Sequence, residues 1–319
     1  MLSETHQLTL SFRAIGLFIG LAALLILSPV VSAQHFSEWG APVNAESIPG
    51  TSSEFNTPFN DGCPIQAPDG LSFFMASNRP GGLGGQDIWV ARRANKGDPW
   101  GAPENLGAPV NSSADDFCPS PVRGHGLFFV SARADDGCGG ADIYFTRLVN
   151  GEWQQPQNLG CGINSSAGEA SPSYFEDDYG NAFLYFSSNR TDGFEPGGSD
   201  SDIYFSLNFG PAQLAPGLNT ASNDFRPNVR KDGLEIVFDS DRTPTLGGFD
   251  IWTASRQSIY DNWFAPVHLE APINSAANET RASLSWDGLQ LVFGSNRAGV
   301  EGMADIFVSR REKLKGNEQ

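Results

Sequence analysis

The sequence predicts an all-β chain, folded as a five-bladed β-propeller of four-stranded blades. Three observations lead there: one short motif recurs five times in phase, 36 Gly and 21 Pro punctuate the chain, and 11% aromatic residues supply a core that a disordered chain would lack.

The first copy runs Phe73-Phe74-Met75-Ala76-Ser77-Asn78-Arg79, then a Gly-rich turn, then Asp87-Ile88-Trp89. Later copies pair Arg133 with Asp142, Arg190 with Asp202, Arg242 with Asp250 and Arg297 with Asp305, each Asp opening an Asp-Ile-aromatic triplet. An acidic residue stands upstream of every copy, three before a Pro, at Asp61, Asp116, Glu169 and Asp224; Glu279 keeps the place but has Ala282 for Pro. The blade cores fall at about 60–94, 115–148, 168–207, 223–256 and 278–311.

Within a copy, strand a follows the acidic residue and turns at dipeptides such as Asp69-Gly70, Asp232-Gly233 and Asp287-Gly288, which suit tight hairpins. Strand b is the aromatic run ending in Ser-x-Arg, and strand c starts at Asp-Ile. Strand d is a linker of the form Trp-x-x-Pro, seen from Trp100 and Trp153, looser from Trp263, and lacking its Trp near Phe209. The last copy ends at Arg311 with no linker after it, whereas Trp39-Gly40-Ala41-Pro42-Val43-Asn44 matches the linker at the other end of the chain. The N-terminal strand is therefore expected to complete the last blade and remove both open edges. The alternative of six blades has no sequence left to build the sixth.

These residues resemble the WD40-like repeats of the periplasmic protein TolB and of bacterial envelope proteins with the same Asp-Gly, Ser-x-Arg and Asp-Ile signature. The resemblance covers nearly the whole of residues 34–311. It implies a propeller and a place in the envelope. TolB carries an α/β domain before its propeller, and wall-anchored relatives a peptidoglycan-binding domain after it; this sequence shows no counterpart to either, so the lipoprotein partner of TolB is not carried over.

Residues 1–33 read as a secretory leader, with Arg13, an apolar run from Ala14 to Val31 and a Val31-Ser32-Ala33 cleavage pattern. The expected location is the periplasm or the exterior, with an uncleaved membrane anchor as the alternative, no integral span after residue 33, and residues 312–319 as a flexible tail. A net charge of −17 disfavours nucleic acid and anionic headgroups as partners. The expected partner is a protein or another envelope component, and the expected state a monomer.

Alternating strand direction brings the d-to-a connection, the end of b and the start of c to one end of each blade. There each Arg is expected to bridge carboxylates through its planar fork, holding the Asp of strand c and the acid of strand a. The alternative role is a ring of Asp61, Asp116, Glu169, Asp224 and Glu279 around the channel mouth, binding a basic segment or a cation. Ca²⁺ suits such oxygens, but no complete calcium loop is present and no cofactor is otherwise indicated. Blade 3 alone has a long b-to-c loop, Thr191–Ser201, and an acidic turn, Glu176-Asp177-Asp178; these mark the expected special edge.

Cys138 and Cys161 should reach the same end of blade 2 and form a candidate disulfide, whereas Cys63 and Cys118, equivalent in adjacent blades, pair only if those blades hold their Cα atoms within about 7 Å. His125 and His268 stand alone and read as surface residues; no nucleophile-and-base or metal motif is found. The leading reading is a binding or scaffold module rather than an enzyme. The rival is a propeller glycoside hydrolase or carbohydrate-binding protein, which as a hydrolase would require two carboxyl groups in unlike environments.

Overall fold

The computed structural model describes residues 36–134 and 136–314; the leader read at 1–33 and residues 315–319 of the expected tail lie outside the described residues. Five antiparallel sheets follow one another. Blade 1 comprises Asp61–Gln66, Ser72–Ser77, Asp87–Arg92 and Glu104–Asn105; blade 2 comprises Asp116–Val122, Gly126–Ser131, Asp142–Val149 and Gln157–Asn158. Blade 3 is built from Glu169–Glu176, Ala182–Ser188, Asp202–Leu207 and Gln213–Leu214, and blade 4 from Asp224–Val229, Glu235–Ser240, Asp250–Ser255 and Val267–His268. Blade 5 takes Glu279–Leu284, Gln290–Ser295 and Asp305–Arg310, and its outer strand is Val43–Asn44 from the start of the propeller. Among the described residues no helix is long and apolar enough to cross a membrane.

The ring closes as the motif spacing requires. Val43 pairs with Val308 and Asn44 with Phe307, and Phe36 bridges Lys313 just beyond. A second device repeats between blades: the amide of each inner-strand acid donates to the carbonyl preceding the strand-c Asp of the previous blade, as in Asp116 to Gln86 at 2.8 Å and Glu169 to Ala141 at 2.8 Å. The fifth such bond, Asp61 to Ala304 at 3.3 Å, joins blade 5 to blade 1.

The core consists of five apolar clusters, one at each blade interface. Phe74, Ile88 and Val90 of blade 1 meet Leu127, Phe129 and Tyr144 of blade 2, while Val292, Ile306 and Val308 of blade 5 meet Phe73, Met75 and Trp89 of blade 1. Alternate residues of each strand thus serve opposite neighbours, which is why both faces are buried and strands b read as nearly continuous apolar runs. Gly84 shows how tightly the loops interlock: a Cβ there would lie 1.9 Å from the Ala114 carbonyl of the next d-to-a connection.

Candidate functional site

At the b-to-c end of the disc every inner strand opens with a carboxylate no more than 1% exposed. One oxygen of Asp61 accepts from the Thr57 amide at 2.6 Å and hydroxyl at 2.7 Å; the other accepts from Arg79 at 2.6 Å. The arrangement repeats for Asp116 with Ser112 and Arg133 and for Asp224 with Thr220 and Arg242; Glu169 with Ser165 and Arg190 and Glu279 with Ser275 and Arg297 use the same kinds of partner, but there the serine hydroxyl shares the oxygen that faces the Arg. Each Arg also donates to a main-chain carbonyl of the preceding connection, such as Val110 at 2.6 Å, and lies over the aromatic that follows Asp-Ile, such as Tyr204 at 4.6 Å.

Two expectations are corrected by this geometry. The carboxylates do not ring an open channel mouth, because blade packing surrounds them with internal donors, and among the described residues no three His, Cys, Asp or Glu side chains are grouped to hold a metal ion. Nor does the Arg bridge to the strand-c Asp. Asp87 turns instead to its own loop and outer strand, accepting from the Gly84 amide at 3.1 Å and the Asn105 side chain at 2.8 Å. Asp142, Asp250 and Asp305 do likewise with Asn158, His268 and Asn44. His268, expected at the surface, is therefore buried at 9% exposure with Nε2 2.7 Å from Asp250.

Sequence reasoning passed over a further member of the repeat. Asn56, Asn111, Asn164, Asn219 and Asn274, each directly before the Ser or Thr that caps the acid, are buried and bond the backbone of the Asp-Ile isoleucine; Asn111 accepts from the Ile88 amide at 2.8 Å and donates to its carbonyl at 2.9 Å. Five occurrences of Asn-Ser/Thr at a fixed distance before the acid were the available signal.

Blade 3 departs from the rule. Its outer strand carries Leu214 where the others offer Asn or His, so Asp202 lacks the side-chain donor that the other four receive and keeps only the Phe194 amide at 2.7 Å. Burial, aided by the charges of Asp200, Asp224 and Glu195 and opposed by the Phe194 amide, pushes the Asp202 carboxyl up to about 6. Because the folded value lies above the unfolded one, Asp202 contributes stability that is present at low pH and lost as pH rises through about 6. Leu214→Asn is expected to supply the absent donor, raise stability at pH 7 by about 1.5 kcal/mol and flatten the pH 4–7 profile. Urea titrations at a series of pH values check this.

The blade 3 features expected to share an edge lie at opposite ends of the disc. Thr191–Ser201 joins strands b and c, whereas Glu176-Asp177-Asp178 belongs to the a-to-b hairpin. Both cysteine pairs are bonded: Cys138 to Cys161 within blade 2, and Cys63 to Cys118 across blades 1 and 2 with Cα atoms 4.8 Å apart. The bulge in each inner strand brings the second pair well inside the reach that the sequence left in doubt.

At the hairpin end opens a basin of about 1080 Å³. Its wall holds Arg123, Arg147, Arg230, Lys231 and Lys313 against Glu176, Asp177, Asp178, Asp232 and Asp287, so five of the chain's 20 basic residues but only five of its 37 acidic ones gather here. Trp286 projects from the blade 5 hairpin with the Lys231 ammonium 4.4 Å and the Arg123 guanidinium 5.0 Å from its ring. Partial burial, then the Arg123 charge, hold Lys231 below its usual range. Tyr179 and Tyr260, 85% and 68% exposed, stand at the rim, where Tyr260 donates to Asp177 at 3.2 Å. Of these residues the sequence had marked only the acidic turn Glu176-Asp177-Asp178; most of the others stand in or beside hairpin turns that differ between blades, where the repeat gives no signal.

Comparison with protein-family models and with curated proteins finds no match. Solved structures do resemble the chain. An α-L-arabinofuranosidase from Lactobacillus brevis matches at 12% identity and TM-score 0.52, over 86% of this chain and 95% of its own. A thermostable family-43 glycoside hydrolase matches at 14% identity and TM-score 0.51, over 84% and 94%. A putative TolB from Agrobacterium tumefaciens matches at 16% identity and TM-score 0.48, over 86% and 91%. At these identities the likeness shows the fold alone, a β-propeller whose structural neighbours include both TolB-type proteins and glycoside hydrolases.

Proposed function

We propose that this chain is an exported, non-catalytic propeller that binds a protein or another component of the cell envelope through the basin at its hairpin end. One observation carries the reading. The five repeated carboxylates are sealed beneath Arg, Ser and Thr, while the basin collects exposed aromatics with a quarter of the chain's cations on an otherwise acidic molecule. Mixed charge around aromatic anchors is the composition of a recognition surface. Two disulfides support an oxidising compartment.

The test is capture from envelope extracts by photo-cross-linking from the basin rim, followed by affinity measurement with the purified partner. Trp286→Ala is expected to weaken that affinity about 30-fold, the effect of a central anchor residue, with the melting temperature unchanged. Equal affinity of the variant would place the partner elsewhere. A carbohydrate ligand is the second reading, favoured by Tyr179, Tyr260 and Trp286 as stacking platforms. Titration with arabinan and bacterial envelope glycans separates the two, and release of free sugar would overturn the non-catalytic reading.

A further inference from the structure

The residue two places after each inner-strand acid adopts a left-handed conformation, with φ of 47° at Cys63, 47° at Cys118, 49° at Ser171, 53° at Arg226 and 56° at Arg281. Such values are uncommon for residues other than Gly, and here they recur at the bulge of all five inner strands. The five residues line a central cavity of about 30 Å³. Its two halves differ. Blades 1 to 3 contribute the Cys63–Cys118 bond and Ser171, whose hydroxyl lies 3.2 Å from the Cys118 sulfur; blades 4 and 5 contribute two guanidinium groups.

Charge is not balanced there. Arg226 pairs with Asp239, a carboxylate with 0% exposure whose second oxygen accepts the Arg281 amide at 2.9 Å. The Arg281 guanidinium makes no hydrogen bond or ion pair among the described residues and lies against Gly62, where an added Cβ would meet its Cδ at 3.3 Å. Burial, then the neighbouring Arg226, lower Arg281 to about 10, which leaves it charged at neutral pH. Two cations thus stand beside one buried carboxylate in a narrow, partly buried space, where a charge without a partner is costly.

We propose that the centre of the propeller binds a monatomic anion of chloride size, held by Arg281 and Arg226. At about 30 Å³ the cavity exceeds the roughly 10–15 Å³ that a single water needs, so a small anion fits between the two guanidinium groups. The site lies away from the basin and stands whether or not the basin binds a partner.

Crystals of the protein grown in bromide, measured at the bromine absorption edge, are expected to show an anomalous peak within hydrogen-bonding distance of the Arg281 guanidinium. At constant ionic strength, replacing gluconate by chloride is expected to raise the melting temperature by roughly 2–4 °C, and Arg281→Gln to abolish that response. A bromide map without a peak in the channel overturns the proposal, and so does an unchanged chloride response in Arg281→Gln. The wild-type anomalous measurement decides the matter if that variant does not fold.

Discussion

Arg79→Met is expected to lower the unfolding free energy by about 3–5 kcal/mol, because it strands a buried carboxylate. Asp61 is 0% exposed, and the Arg79 side chain also donates to the carbonyls of Glu54 at 2.7 Å and Phe55 at 3.0 Å, so one substitution releases the d-to-a connection together with the inner strand. The contrast is Arg92, whose pair with Glu104 has both side chains largely in solvent; Arg92→Ala should cost no more than about 1 kcal/mol and lose its effect in high salt. Urea unfolding at pH 7 measures both. A loss at Arg79 as small as that at Arg92 would mean that water reaches the pair and that the sealed arrangement is misread.

Removing either disulfide should have an effect of similar size. In the chain-entropy description, stabilisation grows with the length of loop closed. The sequence separations of 23 for Cys138–Cys161 and 55 for Cys63–Cys118 give about 3.5 and about 4 kcal/mol respectively. Paired Cys-to-Ser variants, unfolded without reductant, provide the comparison; if wild type with and without dithiothreitol unfolds at the same urea concentration, the bonds contribute nothing. The bond between blades should matter more for keeping the inner strands of blades 1 and 2 together than for either blade alone.

How far the sequence reached depended on repetition. Five in-phase copies of Ser-x-Arg and Asp-Ile specify five sheets, since a single four-stranded sheet must find neighbours for both its faces, and the unmatched linker at Val43–Asn44 specified its own partner. Register then brought Asp61, Ser77 and Asp87 to one end, because Asp61 pairs with Ser77 and Ser77 with Asp87. Register could not say which acid Arg79 would take. That choice rests on the loop amides that claim Asp87 and on the connection that curls over Asp61, and neither is encoded in strand alternation. The basin was legible only in its acidic turn, Glu176-Asp177-Asp178, for the opposite reason: Trp286, Lys231 and Tyr179 occur once each, so looking for what recurs discards them.

Closing the ring with its first strand has a bearing on the order of events during biogenesis. Val43 and Asn44 hydrogen-bond to residues of the fifth repeat, a contact of very long range in a fold whose other sheet pairings are nearly all between neighbours in the chain. Until Asp305–Arg310 emerges, the earliest strand has no partner and the growing arc keeps two unsatisfied borders, which are templates for pairing with another molecule. The interval before the circle shuts is thus when this protein most needs protection by a chaperone, and a chain truncated before Asp305 should be lost to aggregation more readily than the full one.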